Sequence, residues 1–187
     1  KQEGYLALEY EPDSIVPLEK CEVDWERTVA WGSGGYYARL FLNVKGREPD
    51  GIIEPADYEK VRDELADRIA AITDPEGNNI GSVAYKPEEI YQTVNRIAPD
   101  LIVYFGNLSW RSVGSLGLNS IHTLKNDTGP DDANHAQEGL YIYYDPRAQG
   151  EGLAPRRHLM DVAPTILDLM GIGAPGGMQG RTFAGRA

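Results

Sequence analysis

Apolar residues recur along the chain in two rhythms. A spacing of two runs through residues 36–44, where Leu40, Leu42 and Val44 share one face, and the stretch follows the glycine turn Gly32-Ser33-Gly34-Gly35. This predicts a strand pair, or one strand entered from a glycine turn. A spacing of three and four runs through Tyr58, Val61, Leu65, Ile69 and Ile72, while Glu59, Lys60, Arg62, Asp63, Glu64, Asp67 and Arg68 occupy the other positions. That is an amphipathic helix with a charged face, and a charge run of this kind reads as solvated surface. Glu54-Pro55-Ala56-Asp57 opens the helix, with proline in the first turn and acids near the positive end of the helix dipole. Asp74-Pro75-Glu76-Gly77-Asn78-Asn79 stops it and residues 80–85 return as a strand, so residues 36–85 form a β-α-β candidate.

The remaining elements are shorter. Tyr5-Leu6-Ala7-Leu8-Glu9-Tyr10 reads as a strand, and Lys86-Pro87-Glu88-Glu89-Ile90-Tyr91 as a short helix. Leu101-Ile102-Val103-Tyr104-Phe105 is a continuous apolar run, the pattern of a buried central strand. Residues 107–120 are a loop rich in Gly and Ser, and Leu140-Tyr141-Ile142-Tyr143-Tyr144 reads as another strand. Asp161 is a predicted N-cap, Pro164 lies in the first turn, and Val162, Ile166, Leu169 and Met170 supply the apolar side of a helix closed by Gly171. The Gly- and Pro-rich tail from residue 173 is predicted to run along the surface.

The length of 187 residues suits one ordinary domain or a large piece of a bigger protein, and a start at Lys1 without Met favours the second. The net charge of −11 and pI of about 4.7 argue against a nucleic-acid backbone partner, which calls for clustered Lys and Arg. An anionic substrate would need local compensation, most simply from metal ions. Cys21 is the one cysteine, which excludes an intrachain disulfide and leans towards a reducing compartment such as the cytoplasm. No apolar run is long enough to span a membrane.

Candidate chemistry gathers in Asn126-Asp127-Thr128-Gly129-Pro130-Asp131-Asp132-Ala133-Asn134-His135-Ala136-Gln137-Glu138-Gly139. Turn formers crowd this loop, which carries His135 at the edge of the predicted strand. A neutral imidazole is a common ligand for zinc and related ions, oriented through its second nitrogen by neighbouring carboxylates or amides. Asp131, Asp132 and Asn134 could hold His135 in that way, or could cap a turn. Spacing alone favours a surface or turn histidine, because no H-x-x-x-H or C-x-x-C partner accompanies it. His122 and His158 are weaker ligand candidates. Lys45 and Arg47 could face an anion but read as turn charges. Ser112 and Ser115 read as loop residues, since neither lies in a G-x-S-x-G elbow.

The motifs taken together carry a resemblance. Phe41-Leu42-Asn43-Val44-Lys45-Gly46-Arg47-Glu48-Pro49-Asp50-Gly51, Ala98-Pro99-Asp100-Leu101, Arg111-Ser112-Val113-Gly114-Ser115, Gly129-Pro130-Asp131-Asp132-Ala133-Asn134-His135-Ala136, Asp161-Val162-Ala163-Pro164-Thr165 and Met178-Gln179-Gly180-Arg181 follow one another in an order that resembles the C-terminal part of type I phosphodiesterase/nucleotide pyrophosphatase proteins, in the alkaline phosphatase superfamily. The resemblance implies the C-terminal part of an alkaline-phosphatase-like α/β sandwich around a mostly parallel sheet. Residues 1–187 would then be one portion of a larger catalytic domain. It also implies two divalent metal ions, commonly zinc with manganese or iron as alternatives, a Thr or Ser nucleophile, and a phosphate-ester substrate. Mapped onto this chain, the family's C-terminal metal-ligating histidine is His135, which reverses the preference from spacing. The chain departs from the family in lacking Asp-His pairs and a recognisable nucleophile, so those groups are expected upstream and the isolated chain is expected to be inactive.

Two other readings stand beside this one. The chain could be a non-catalytic binding module whose β-α-β unit recognises a partner, or a relative in the same superfamily with sulfatase or phosphomutase chemistry.

Overall fold

The computed structural model describes residues 1, 3–118, 120–124, 133–146 and 152–183. They fall into two compact units, Lys1–Gly139 and Leu140–Ala187. In chain order the first unit carries β1 (Val16–Pro17), β2 (Ala30–Ser33), β3 (Ala38–Leu42), α1 (Tyr58–Ala70), β4 (Val83–Tyr85), α2 (Pro87–Ile90), β5 (Leu101–Tyr104) and β6 (Ser115–Leu116). The class is mixed α/β.

β2 and β3 form the predicted strand pair, with Ala30 opposite Leu42 and Ser33 opposite Arg39. The predicted helix is present as a 3-10 turn over Pro55–Asp57 running into α1. The main sheet has the order β2-β3-β5-β4, and every neighbouring pair is antiparallel. Because β3 and β4 both run against β5, they run the same way as each other. The β-α-β segment is therefore a real crossover, but its two strands are not neighbours: β5 is inserted between them. That insertion makes the ladder antiparallel where a mostly parallel sheet was expected. A second, two-stranded sheet pairs β1 with β6.

β5 is central, as its uninterrupted apolar run predicted. Leu101, Val103 and Leu42 are fully buried, and α1 covers this face of the sheet with Leu65 and Ile69. Each such side chain contributes about 1.5–3 kcal/mol of burial. The alternation of strands places Trp31, Phe41, Tyr85 and Tyr104 on the opposite face. There Trp31 stacks on Phe41 at 5.5 Å, Trp25 meets the edge of Trp31 at 5.1 Å, and Tyr104 meets Tyr85 and Tyr37 edge-on. The predicted strand at residues 5–10 is reduced to a single bridge from Leu8 to Val23.

In the second unit α3 (Val162–Leu169) forms where predicted. Gly171, at φ +73°, closes it: Ile172 N–H donates to the Leu167 carbonyl and Gly171 N–H to that of Asp168, the paired bonds of a glycine-terminated helix end. The tail packs along this helix, with Arg181 N–H donating to Asp161 Oδ1 and Phe183 N–H to Thr165 Oγ1. Residues 140–144 are not a strand. They find no pairing partner among the described residues, and Leu140, Ile142 and Tyr144 are exposed. Alternation predicts which faces a strand would present, whereas the ladder needs a second backbone.

Candidate functional site

Two turns at one end of the main sheet build the site. The first joins β2 to β3 and carries Gly34, Gly35 and Tyr36. The second follows β5, where Gly106, Asn107 and Leu108 take φ of 54°, 51° and 72° in succession. Ser112 ties them together: its hydroxyl donates to the Gly35 carbonyl and accepts from Gly35 N–H, both at 2.9 Å. Ser112 is a loop residue, as expected. Gly34 packs so closely on Gly114 that a Cβ there would lie 2.9 Å from the Gly114 nitrogen.

His135 is exposed at this end of the sheet. Its ring stacks on Tyr36 with centroids 4.0 Å apart and planes inclined by 22°. The Arg111 guanidinium lies over the same tyrosine ring, 5.0 Å from its centroid. Asn134 accepts from His135 N–H through Oδ1 at 2.9 Å and donates through Nδ2 to the Leu108 carbonyl at 2.6 Å. Asp131 and Asp132 lie outside the described residues. Tyr36 and Arg111 are additions that sequence reasoning did not make: one read as a strand residue and the other as part of a loop, and nothing in their spacing links them to residue 135.

The other two histidines each engage one ring nitrogen with the backbone. His122 Nε2 is 2.8 Å from the Thr73 carbonyl, and the ring packs beside Trp110. His158 Nδ1 accepts from Met160 N–H, while its own N–H donates to Asp161 Oδ2, so it caps the turn that leads into α3. Among the described residues the ring nitrogens of His135 make no hydrogen bond. No group of three or more His, Cys, Asp or Glu residues could hold a metal ion among the described residues. One imidazole does not make a two-metal centre, so the residues present do not by themselves fit that cofactor.

A groove of about 650 Å³ opens beside the glycine turn, lined by Cys21, Trp25, Trp31, Gly34, Gly35 and Arg111 among others. Trp25 and Trp31 supply its aromatic walls. Arg111 belongs both to this groove and to the stack at His135.

The strongest charge cluster lies at the other end of β5. Asp100 precedes the strand and the Gly106 turn follows it, so the two ends are separated by roughly 15 Å of extended chain. Burial pushes the Asp100 carboxyl up, but hydrogen bonds from Arg47, Tyr58 and the Leu42 N–H outweigh it and hold the group below the usual carboxylate range. Arg47 is therefore occupied in holding the fold, and Lys45 pairs with Glu54. Neither faces the His135 site. Ser115 lies in β6 and pairs with Pro17.

No known protein family, curated protein or solved structure matches the chain. Among the described residues no helix is long and apolar enough to cross a membrane.

Proposed function

We infer that this chain is the C-terminal portion of a metal-dependent hydrolase of phosphate esters, of the type I phosphodiesterase/nucleotide pyrophosphatase kind within the alkaline-phosphatase-like α/β sandwiches. Its contribution is one ligand, His135, to a site holding two divalent ions such as zinc. The observation that carries the reading is the His135 imidazole itself, exposed at the end of the sheet with its ring braced on Tyr36. A ligand has to keep a nitrogen available and a ring plane fixed. The chemistry at phosphorus belongs to groups outside this chain, and what the chain's own residues do is present and steady that imidazole.

A second reading, a binding module without catalysis, is favoured by the groove lined with Trp25 and Trp31. Hydrolysis of an activated phosphodiester, measured with zinc or manganese in the intact protein that contains this chain, separates the two. On the hydrolase reading His135→Ala lowers turnover by about a hundredfold or more while the 187-residue chain alone shows none. An intact protein that hydrolyses nothing, or one indifferent to His135→Ala, overturns it. Metal-dependent turnover by the 187-residue chain would overturn the placement of the nucleophile elsewhere.

A further inference from the structure

We propose that Asn134 is a positioning residue whose carboxamide ties the main chain at His135 to the left-handed turn after β5, holding the imidazole on Tyr36 before any ion or partner reaches it. The use to which the imidazole is put rests on the reading of His135 as a ligand; the tether itself rests on geometry alone.

Three observations converge. The Asn134 side chain uses both of its ends, Oδ1 towards His135 N–H and Nδ2 towards the Leu108 carbonyl. A carboxamide offers a donor and an acceptor from one planar group, which neither Asp nor Ala reproduces. The anchor is firm: Leu108 is 7% exposed, and the turn is braced by Ser109 Oγ donating to the Gly106 carbonyl at 2.5 Å. It is also strained. Asn107 and Leu108 both have positive φ, at about 1–2 kcal/mol for a residue with a Cβ, and Leu is a poor occupant of that region. Strain of this kind persists where the surroundings over-determine the backbone, and here it fixes the carbonyl that Asn134 holds. Finally, the exposed His135 ring lies nearly parallel to Tyr36 at stacking distance.

The test is the NMR signature of the His135 ring in the whole chain with labelled histidine. Stacking on Tyr36 displaces the ring protons upfield, Tyr36→Leu abolishes that displacement and so identifies it, and His122 and His158 are internal references. The expected result is that Asn134→Ala and Asn134→Asp each remove at least half of the displacement while the His122 and His158 signals stay in place. Asn134→Asp keeps the acceptor and the shape but sets a charged oxygen against the Leu108 carbonyl, so it breaks the tether even if the alanine variant unfolds, and Asn134→Ala shows the same loss without the added charge. Unchanged His135 ring shifts in Asn134→Asp overturn the proposal. The result is independent of hydrolysis: an intact protein without phosphodiesterase activity would sink the functional reading and leave the tether standing, and the converse holds as well.

Discussion

Arg47 and Asp100 meet end to end, Nη1 donating to Oδ1 and Nη2 to Oδ2, both at 2.7 Å. The same guanidinium donates to the Leu42 carbonyl at 2.7 Å, and the same carboxylate accepts from Leu42 N–H and the Tyr58 hydroxyl, both at 2.6 Å. One ion pair thereby fastens the end of β3, the turn before α1, the first residue of α1 and the start of β5. Both segments stood out in the sequence as motifs, and this pair gives their residues a structural reason to occur together.

Removing the cation leaves a carboxylate that is 3% exposed without its charge partner. Arg47→Ala is expected to cost about 3 kcal/mol, the lower end for breaking a buried pair because the arginine itself is 43% exposed. Urea unfolding at neutral pH measures it. The depressed Asp100 carboxyl contributes stability that is present above its unfolded pKa and is lost as pH falls below about 4. Asp100→Asn should therefore be less stable at neutral pH and show a shallower acid limb. An unchanged acid limb would place the acid sensitivity elsewhere.

Tyr58 gives the opposite limb. Its phenol is pushed up to about 12, first by burial and then by its hydrogen bond to Asp100. A raised folded pKa adds stability that is complete below the unfolded value of about 10 and is lost as pH climbs through the folded one. Between about pH 10 and 12 the native chain should lose stability that Tyr58→Phe never had, so the two unfolding curves should converge as pH rises. Parallel curves across that window would contradict the assignment.

What the sequence disclosed and what it hid divide along the same residues. The stripe from Tyr58 to Ile69, the proline entry to α1, the glycine turn before β3 and the buried run at β5 were all legible, because each is a local periodicity or a local turn preference. The insertion of β5 between β3 and β4 was not, since pairing order leaves no local trace. Arg62 was misread with the solvated charges of α1: it is 2% exposed, with Nε donating to the Asp100 carbonyl and both Nη groups engaging Glu88. Helical spacing places a residue on a face but cannot tell whether a partner 26 positions away will bury its charge. At the site, His135 stood out by its loop, whereas the Tyr36 stack and the Leu108 anchor depend on two turns meeting in space.

That meeting can be tested at Gly34. A Cβ there would lie 2.9 Å from the Gly114 nitrogen and 3.0 Å from its Cα, and backbone cannot yield as a flexible side chain would. Gly34→Ala should push the two turns apart at about 1–3 kcal/mol and should disturb the Tyr36 and Ser112 resonances before those of β5. Gly114→Ala is a useful contrast, since a Cβ there would meet the Gly34 nitrogen at an ordinary 3.7 Å. Equal spectral effects from both variants would argue against the Gly34 contact as the critical one.

The second unit reverses the usual logic of an amphipathic helix. Ile166, Leu169 and Met170, expected to face a core, are 52%, 48% and 66% exposed, whereas Pro164 and Thr165 are buried. Thr165 Oγ1 donates to the Asp161 carbonyl at 2.5 Å and accepts from Phe183 N–H at 3.2 Å, so a hydroxyl and the tail it holds do what the apolar stripe was expected to do. Ile166→Gln and Met170→Gln are therefore expected to leave the thermal stability of this unit within about 0.5 kcal/mol of the parent, as for other surface changes. Thr165→Val keeps the shape but strands the Phe183 N–H, and should cost about 1–3 kcal/mol. Limited proteolysis of the tail, followed alongside far-UV melting, distinguishes the two classes. If the Gln variants are the destabilised ones, the stripe is packed in solution and the tail is incidental.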